Sequence, residues 1–242
     1  MITRYRNLMN MQVKIVAICK DENEYLDEWM NHHRGIGIDS FIIGDNQSKV
    51  PIKEGEGVTV IPWDDNIIGS QMRFYDFVCK SQPKDVWLAM IDIDEFIRLK
   101  GFDSIQDCIT YFRKTYYISA LGMYWRFLGQ PEPYFESRQP VENYKWYHPN
   151  GHIKTVFLNE DYVRFHEPHS IRTKGRYTDE LGRRITGPIG EHTSEFIWID
   201  HYWTRSIPEF QEKIIRGSGD KVVRVKTMED FYNYNDSCTW SV

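Results

Sequence analysis

The stretch Trp-Leu-Ala-Met-Ile-Asp-Ile-Asp-Glu-Phe at residues 87–96 decides how the rest of the chain is interpreted. Its first five residues form an uninterrupted apolar run, which is typical of a strand that is buried on both faces of a parallel sheet. The acidic residues Asp92, Asp94 and Glu95 follow this run directly. Because open α/β sheets bind ligands beyond the carboxyl ends of their strands, the pattern predicts a ligand site here.

The segments before this run alternate between strand and helix patterns. Short runs rich in β-branched residues predict strands at 13–19, 40–44 and 58–61. Helical patterns follow the first of them, with a stripe from Tyr25 to His33, and the third, at about 70–80. Such alternation is typical of parallel strands joined by right-handed crossovers. We therefore predict an α/β fold with a mostly parallel central sheet flanked by helices.

The pattern changes after the acidic run. Ser104 can cap a helix that runs to about Tyr116, and 118–125 predicts a strand after which the core sheet is expected to end. Prolines interrupt residues 129–199, which predicts an irregular region. A short strand at 196–199 is expected to close it.

The end of the chain predicts one more helix, from Pro208 to about Arg216, which Gly217 ends. We interpret 1–242 as a single domain in which 13–128 and 129–242 form two halves of different character. A length of 242 residues, 41% of them hydrophobic, is enough for one substantial core.

Composition excludes some classes of function. A net charge of −5 argues against nonspecific binding of nucleic acid, which needs clustered cations. No apolar run approaches the roughly 20 residues needed to span a bilayer, so we predict a soluble or peripherally attached protein. Four cysteines without CxxC spacing indicate reduced thiols, so we expect a cytoplasmic location, extending to the inner face of the membrane.

The acidic residues predict a metal site. In an extended backbone, residues two apart point to the same side, so Asp92 and Asp94 converge while Ile93 faces the core and Glu95 supports them from the other side. Oxygen ligands suit Mg²⁺ or Mn²⁺, which in turn bind phosphates. His201 offers a neutral imidazole as a further ligand. The plainer interpretation is a solvated acidic turn, with His201 as a strand-end histidine.

Two other segments predict anion-binding or nucleotide-binding residues. Lys20, Glu22 and Glu24 lie between the first strand and its helix, where main-chain donors and the helix dipole favour anions; ordinary capping acids are the alternative. Asp45 ends the second strand and could accept hydrogen bonds from a base or ribose, or serve only in a turn. Lys213 and Arg216 lie on the last predicted helix, where they could approach a diphosphate from the opposite side.

Two further groups have a plain and a functional interpretation. His166 and His169 could form a metal pair, although their spacing is not that of a zinc motif. A set of basic residues forms either a solvated face or a surface that meets an anionic acceptor. Its members are Lys154, Arg172, Lys174, Arg176, Arg183 and Arg184.

Taken in order, these residues make the chain resemble the GT-A glycosyltransferases, most closely the group that includes glycosyltransferase family 92 and related bacterial family-2-like enzymes. The matching residues cover most of 13–217. They are Lys20-Asp21-Glu22-x-Glu24-Tyr25-Leu26-x-Glu28-Trp29 with His33 and Gly37; Asp45-Asn46-x-Ser48; Gln71-x-x-x-Tyr75; the acidic run with its strand; Trp125-x-x-x-Gly129; Lys154; and His201-Tyr202-x-x-x-Ser206 with Lys213 and Arg216-Gly217.

The resemblance implies the GT-A fold and the transfer of a sugar from a nucleotide donor, a UDP-sugar, with Mn²⁺ or Mg²⁺ bound by Asp92 and Asp94. The first half would hold the nucleotide sugar, with Gln71 among its contacts, and the second would face the acceptor. The acceptor implied is a glycan or glycolipid of surface polysaccharide or lipopolysaccharide synthesis.

If the transfer inverts the anomeric centre, a side chain must take the proton of the acceptor hydroxyl. Glu191 and His192, with Asp200 behind them, are the predicted catalytic residues. Two rival functions are an aspartate-based phosphohydrolase and a non-catalytic nucleotide-binding or glycan-binding module. The phosphohydrolase is disfavoured because several strand-helix units precede Asp92 and Glu95 follows it.

Overall fold

The computed structural model describes residues 11–65, 67–130, 132–217 and 226–242. The strands are β1 (Val13–Cys19), β2 (Ser40–Asp45), β3 (Val58–Pro62), β4 (Trp87–Met90), β5 (Glu95–Leu99), β6 (Ile118–Gly129), β7 (Trp146–Leu158), β8 (Tyr162–Glu167), β9 (Ser170–Thr173), β10 (Arg176–Thr178), β11 (Ile197–His201) and β12 (Trp240–Ser241). The α-helices are α1 (Asn23–Gly35), α2 (Ser70–Ser81), α3 (Ile105–Tyr116), α4 (Ile207–Arg216) and α5 (Met228–Ser237).

The fold is α/β, as predicted, and is built on one curled mixed sheet. Its strand order is β3-β2-β1-β4-β7-β6-β11-β5, with β10 beside β6 and β12 beside β7. The first four strands in this order are parallel, and the predicted strands and helices of residues 13–90 are confirmed. Beyond β4 the pairing becomes mixed, because β7 runs antiparallel to both of its long neighbours.

The expectation that the sheet ends near residue 125 and that 129–199 is irregular is wrong. β7 lies inside this region and pairs with both β4 and β6, near the middle of the sheet. Pro149 belongs to β7 but lies beyond the part of this strand that pairs with β4. On the side of β7 that faces β4, no hydrogen bond therefore depends on the N–H that proline lacks. Prolines therefore do not prevent a long central strand here.

Two layers cover the faces of the sheet. Side chains of α1 and α3, such as Trp29 and Phe112, pack in one apolar cluster on one face. Side chains of α2, such as Phe74, pack on the other face, together with Ile171 of the β8–β9 hairpin. Ile15 and Val16 of β1 are neighbours in sequence but lie in opposite clusters, as the alternation of a strand requires.

The acidic run forms a tight turn between β4 and β5. The Glu95 N–H donates to the Asp92 carbonyl oxygen at 3.1 Å, so the expected extended backbone is wrong, although Ile93 faces the core as predicted with 1% of its surface exposed. The curled sheet then places β5 beside β11, with Glu95 directly opposite His201. We call residues 92–95 the acidic turn.

The helix α4 follows β11 after a short loop. Ser206 and Glu209 form a capping box at its start, which confirms the helix predicted from Pro208 to about Arg216. The helix α5 was not predicted. Among the residues that the structure describes, no helix is both long and apolar enough to cross a membrane.

Candidate active site

Asp92 is held from two directions. Gln71 Nε2 donates to its Oδ1 at 2.7 Å, and Lys154 Nζ donates to its Oδ2 at 2.8 Å. Its side chain remains 33% exposed, whereas Lys154 is fully buried. Burial raises the pKa of Asp92, but the Lys154 ammonium outweighs it and the net pKa is lowered. Asp92 is thus an anion with one side open to solvent.

Asp94 is paired with the C-terminal part of the chain. Lys213 Nζ lies 2.6 Å from its Oδ2, and His201 Nε2 lies 3.5 Å from its Oδ1. Burial alone would raise the pKa of this carboxyl, but Lys213 and then His201 hold it well below its usual range. Burial lowers the pKa of His201, although the Asp94 carboxylate opposes this shift. The structure therefore brings together the three predicted metal ligands Asp92, Asp94 and His201.

Glu95 lies behind the two aspartates and is completely buried. Its Oε2 accepts the main-chain N–H of Asp92 at 2.9 Å, which helps to hold the acidic turn in shape. Its Oε1 has no partner and faces the unpartnered Nδ1 of His201 at 3.8 Å. Burial raises the pKa of Glu95 well above its usual range. The support role predicted for Glu95 is consistent with these contacts.

Three cations from the C-terminal part of the chain gather beside these acids. Besides Lys213, Arg216 pairs with Glu22 at 3.0 Å and donates to the carbonyl oxygen of Asp21 at 3.3 Å. The pKa of Lys226 is lowered to about 8, first by burial and then by the nearby cations Lys213 and Arg216. These cations therefore lie between the acidic turn and the end of β1, and sequence reasoning missed Lys226.

The other predicted nucleotide-binding residues occupy different positions. Asp45 closes its own loop, because its carboxylate accepts the N–H groups of Ser48 and Ile52, each at 3.0 Å. Glu24 pairs with Arg138 rather than with the cations of α4. Lys20 lies half-buried directly after β1. The structure thus places Glu22 in the cluster, with Lys20 and Asp45 at the ends of the neighbouring strands.

The structure does not bring the three predicted catalytic residues into contact with the acidic turn. Glu191 is 84% exposed and pairs with Arg183. His192 contacts the Asn150 carbonyl oxygen at 3.0 Å. Asp200 accepts from Arg98 at 2.7 Å and points away from His201, because successive residues of a strand face opposite sides. Their catalytic role stays a prediction.

The chemistry of the acidic turn fits a divalent cation. Two carboxylates and one neutral imidazole are ligands that Mn²⁺ accepts, and the exposed side of Asp92 offers access. Within the described ranges, no group of three His, Cys, Asp or Glu side chains is already arranged around a metal position. Lysines occupy one oxygen of each aspartate instead, so binding of an ion would compete with Lys154 and Lys213.

His166 and His169, the two histidines considered as a metal pair, lie in different surroundings. His166 is exposed on β8, whereas His169 packs edge-on against Trp125 at a ring-centroid distance of 5.1 Å. Trp125 also contacts His201 at 4.5 Å, so His169 lies close to the acidic turn. Trp125 Nε1 and His169 Nδ1 are buried without a partner.

Comparison with curated proteins finds a distant likeness. No protein-family model matches the chain. The chain is similar to a glycosyltransferase family 92 protein of Oryza sativa subsp. japonica, with 25% identity over 121 residues. The match covers 45% of this chain and 20% of the rice protein, so this chain spans only a small part of that relative. The predicted likeness to family 92 is confirmed at this level.

Proposed function

We propose that this chain is a glycosyltransferase of the GT-A type that transfers a sugar from a nucleotide donor, a UDP-sugar, to a glycan or glycolipid acceptor. The observation that carries the proposal is the acidic turn at the end of β4, where Asp92 and Asp94 are each held by a lysine from a distant segment. Open α/β sheets bind ligands at such strand ends. The likeness to a family 92 protein supports the same reaction class.

In this proposal the cations beside the turn receive the diphosphate of the donor. Lys213 and Arg216 lie one helical turn apart on α4 and both face acids at strand ends, of β4 and β1. A diphosphate bound between them would replace the carboxylates of Asp94 and Glu22 as the anionic partner of these two cations. Lys213 would then stabilise the charge that develops on the leaving group, which is the electrostatic contribution that fixed cations make to catalysis. Glu22, Asp45 and Lys20 would hold the nucleoside.

We further propose that Asp92, Asp94 and His201 hold Mn²⁺ or Mg²⁺. When bound, the ion would supply Lewis-acid stabilisation of the departing diphosphate. Gln71 would keep Asp92 oriented through its hydrogen bond of 2.7 Å. Glu95 would keep the turn in shape by accepting the Asp92 N–H.

The acceptor side of the proposal is an inverting transfer of a hexose in surface polysaccharide or lipopolysaccharide synthesis. Such a reaction needs a general base for the acceptor hydroxyl. Glu191, His192 and Asp200 remain the predicted candidates, and each would have to leave its present partner or receive the proton through a water molecule.

The proposal is tested by turnover of donors. The purified chain is incubated with a panel of UDP-sugars and GDP-sugars, with and without Mn²⁺, and the released nucleoside diphosphate is measured. We expect one donor class to be consumed only with the metal, and Asp94→Ala to abolish the release. Asp85→Ala is the matched control, because Asp85 is an exposed acid just before β4.

Two outcomes would contradict the proposal. Turnover in Asp94→Ala equal to that of the unaltered protein would remove the role of the acidic turn. Binding of a nucleotide without consumption of any donor would instead favour the non-catalytic binding module.

A further inference from the structure

The β8–β9 hairpin and the start of β10 carry a cluster of exposed cations. Among the described strands, the hairpin forms a separate two-stranded sheet, and it packs on α2. We call four exposed cations of the hairpin and the segment that follows it the cationic face; they are Arg164, Arg172, Lys174 and Arg176. The chain as a whole has a net charge of −5, so this concentration of positive charge is local.

The register of the hairpin puts two of these charges directly opposite each other. Arg164 on β8 is the partner of Arg172 on β9. Like charges at directly opposite positions of an antiparallel pair destabilise it. The hairpin is therefore less stable than it would be with an acid at either position.

The four cations of this face differ from the other basic residues in their pairing. Among the residues that the structure describes, none of its four members forms an ion pair. The polar contact of the Lys174 ammonium is with a main-chain oxygen, that of Glu160. By contrast, Arg183 is paired with both Asp179 and Glu191. The basic residues grouped together in the sequence thus separate into paired ones and unpaired ones.

The residue that precedes β9, His169, lies close to the acidic turn. The strand β9 starts directly after His169, whose carbonyl oxygen accepts from Thr155 Oγ1 at 2.9 Å. Thr155 follows Lys154, which holds Asp92. The face continues from Arg172 on β9, through a bend at 174–175, to Arg176 at the start of β10. A chain-like ligand lying along the cations would therefore have one end near the candidate active site.

We propose that the cationic face binds an anionic glycan, a polymer with carboxylate or phosphate groups on its sugars, and directs its end toward the acidic turn. The role of this glycan as acceptor rests on the proposed glycosyltransferase function; its binding does not. The unpaired cations match its charges, and neutralisation by the ligand would relieve the repulsion between Arg164 and Arg172.

Binding is measured without any donor, so the result is independent of turnover. The probe is fluorescently labelled polygalacturonate, with labelled neutral dextran for comparison, and anisotropy is followed at several salt concentrations. We expect polygalacturonate to bind and dextran not to bind. The double variant Arg164→Glu/Arg172→Glu should bind at least tenfold more weakly, with a shallower dependence on salt because fewer ions are exchanged.

The single variant Arg164→Glu separates binding from folding. It replaces the like-charge pair with a Glu–Arg pair, so its unfolding midpoint should stay or rise while its affinity for polygalacturonate falls. The control is Lys53→Glu/Lys114→Glu, which reverses two exposed charges elsewhere and should bind as the unaltered protein does.

Three results would overturn the proposal. The first is that polygalacturonate does not bind, whether or not vesicles of anionic phospholipid bind in its place. The second is equal binding of dextran, and the third is unchanged affinity in the double variant.

Discussion

Lys213 Nζ lies 2.6 Å from Asp94 Oδ2, across 119 positions of sequence. The same ammonium donates to the Trp203 carbonyl oxygen at 2.9 Å, so it joins the acidic turn, the loop after β11 and α4. Only 16% of the Lys213 side chain and 11% of the Asp94 side chain are exposed, so solvent screens this pair weakly. The position of α4 and the charge of the candidate active site therefore depend on one another.

Lys213→Met should reduce donor turnover strongly. Loss of the ammonium removes a fixed positive charge from the place where the proposed leaving group develops negative charge. Removal of one such group costs about a hundredfold in kcat in comparable sites. The measurement is release of nucleoside diphosphate under saturating donor. Ile215→Met on the same helix is the control, because Ile215 is 85% exposed, and a similar loss there would point to general damage to α4.

Lys154→Met should destabilise the fold. The Lys154 side chain is fully buried and contacts Asp92 Oδ2 at 2.8 Å and Glu95 Oε2 at 3.5 Å. Removing one partner of a buried pair leaves a charge without compensation, and the partial exposure of Asp92 limits the cost to about 2 kcal/mol. Urea unfolding measures it. Lys114→Met, at an exposed position, should change the free energy of unfolding by less than about 0.5 kcal/mol.

The elements predicted correctly are those whose signals are local. An apolar run predicts β4, and Ser104 predicts the start of α3, where its side chain accepts the Asp107 N–H at 3.1 Å. Such signals depend on a few neighbouring residues and survive any tertiary arrangement. The same holds for the prediction that Asp92 and Asp94 lie beyond a strand end.

The elements that were missed depend on distant partners. β5 is a strand because it pairs with β11, about a hundred residues later, and no local pattern encodes that pairing. β7 contains Pro149 and Gly151, which argue against a strand unless it is known that Pro149 lies beyond the part of β7 that pairs with β4. Lys154 is on β7 and is completely buried beside Asp92, 62 positions earlier in the chain. The ion pairs of the site could not be predicted for the same reason.

Ser206→Ala should weaken α4 and the site together. Ser206 is buried and forms a capping box with Glu209 at the start of this helix. Loss of such a cap costs about 1 kcal/mol. Ser104→Ala is the control, because the Ser104 side chain also accepts an N–H at the start of its helix, α3, but that helix carries none of the candidate site residues. Both variants should lose stability in urea, and only Ser206→Ala should also lose turnover; equal turnover in the two would contradict the coupling.

Stability should fall on acidification below about pH 6.5, the usual pKa of histidine, because two adjacent histidines of α1 stay neutral in the fold. The tautomer of His33 is set by its bonds: Nδ1 donates to the Trp29 carbonyl oxygen at 2.8 Å, and Nε2 accepts the Ile97 N–H at 3.2 Å. Protonation of Nε2 would place its N–H against the N–H of Ile97, so the hydrogen bond between them would be lost. Burial lowers the pKa of His33 well below its usual range and that of His32 to about 4.

Because these folded-state pKa values lie below the unfolded ones, the unfolded chain binds more protons between about pH 6.5 and 4, and stability is lost as the pH falls through that window. Each histidine contributes a slope of up to about 1.4 kcal/mol per pH unit. In the unaltered protein His32 Nε2 lies 2.7 Å from the Ile97 carbonyl oxygen. The variant His32→Gln keeps an N–H donor for this oxygen but has no group that titrates. Urea unfolding at several pH values should therefore show a shallower slope in His32→Gln. The exposed His166→Gln should show the slope of the unaltered protein, and coincident curves for all three proteins would refute the assignment.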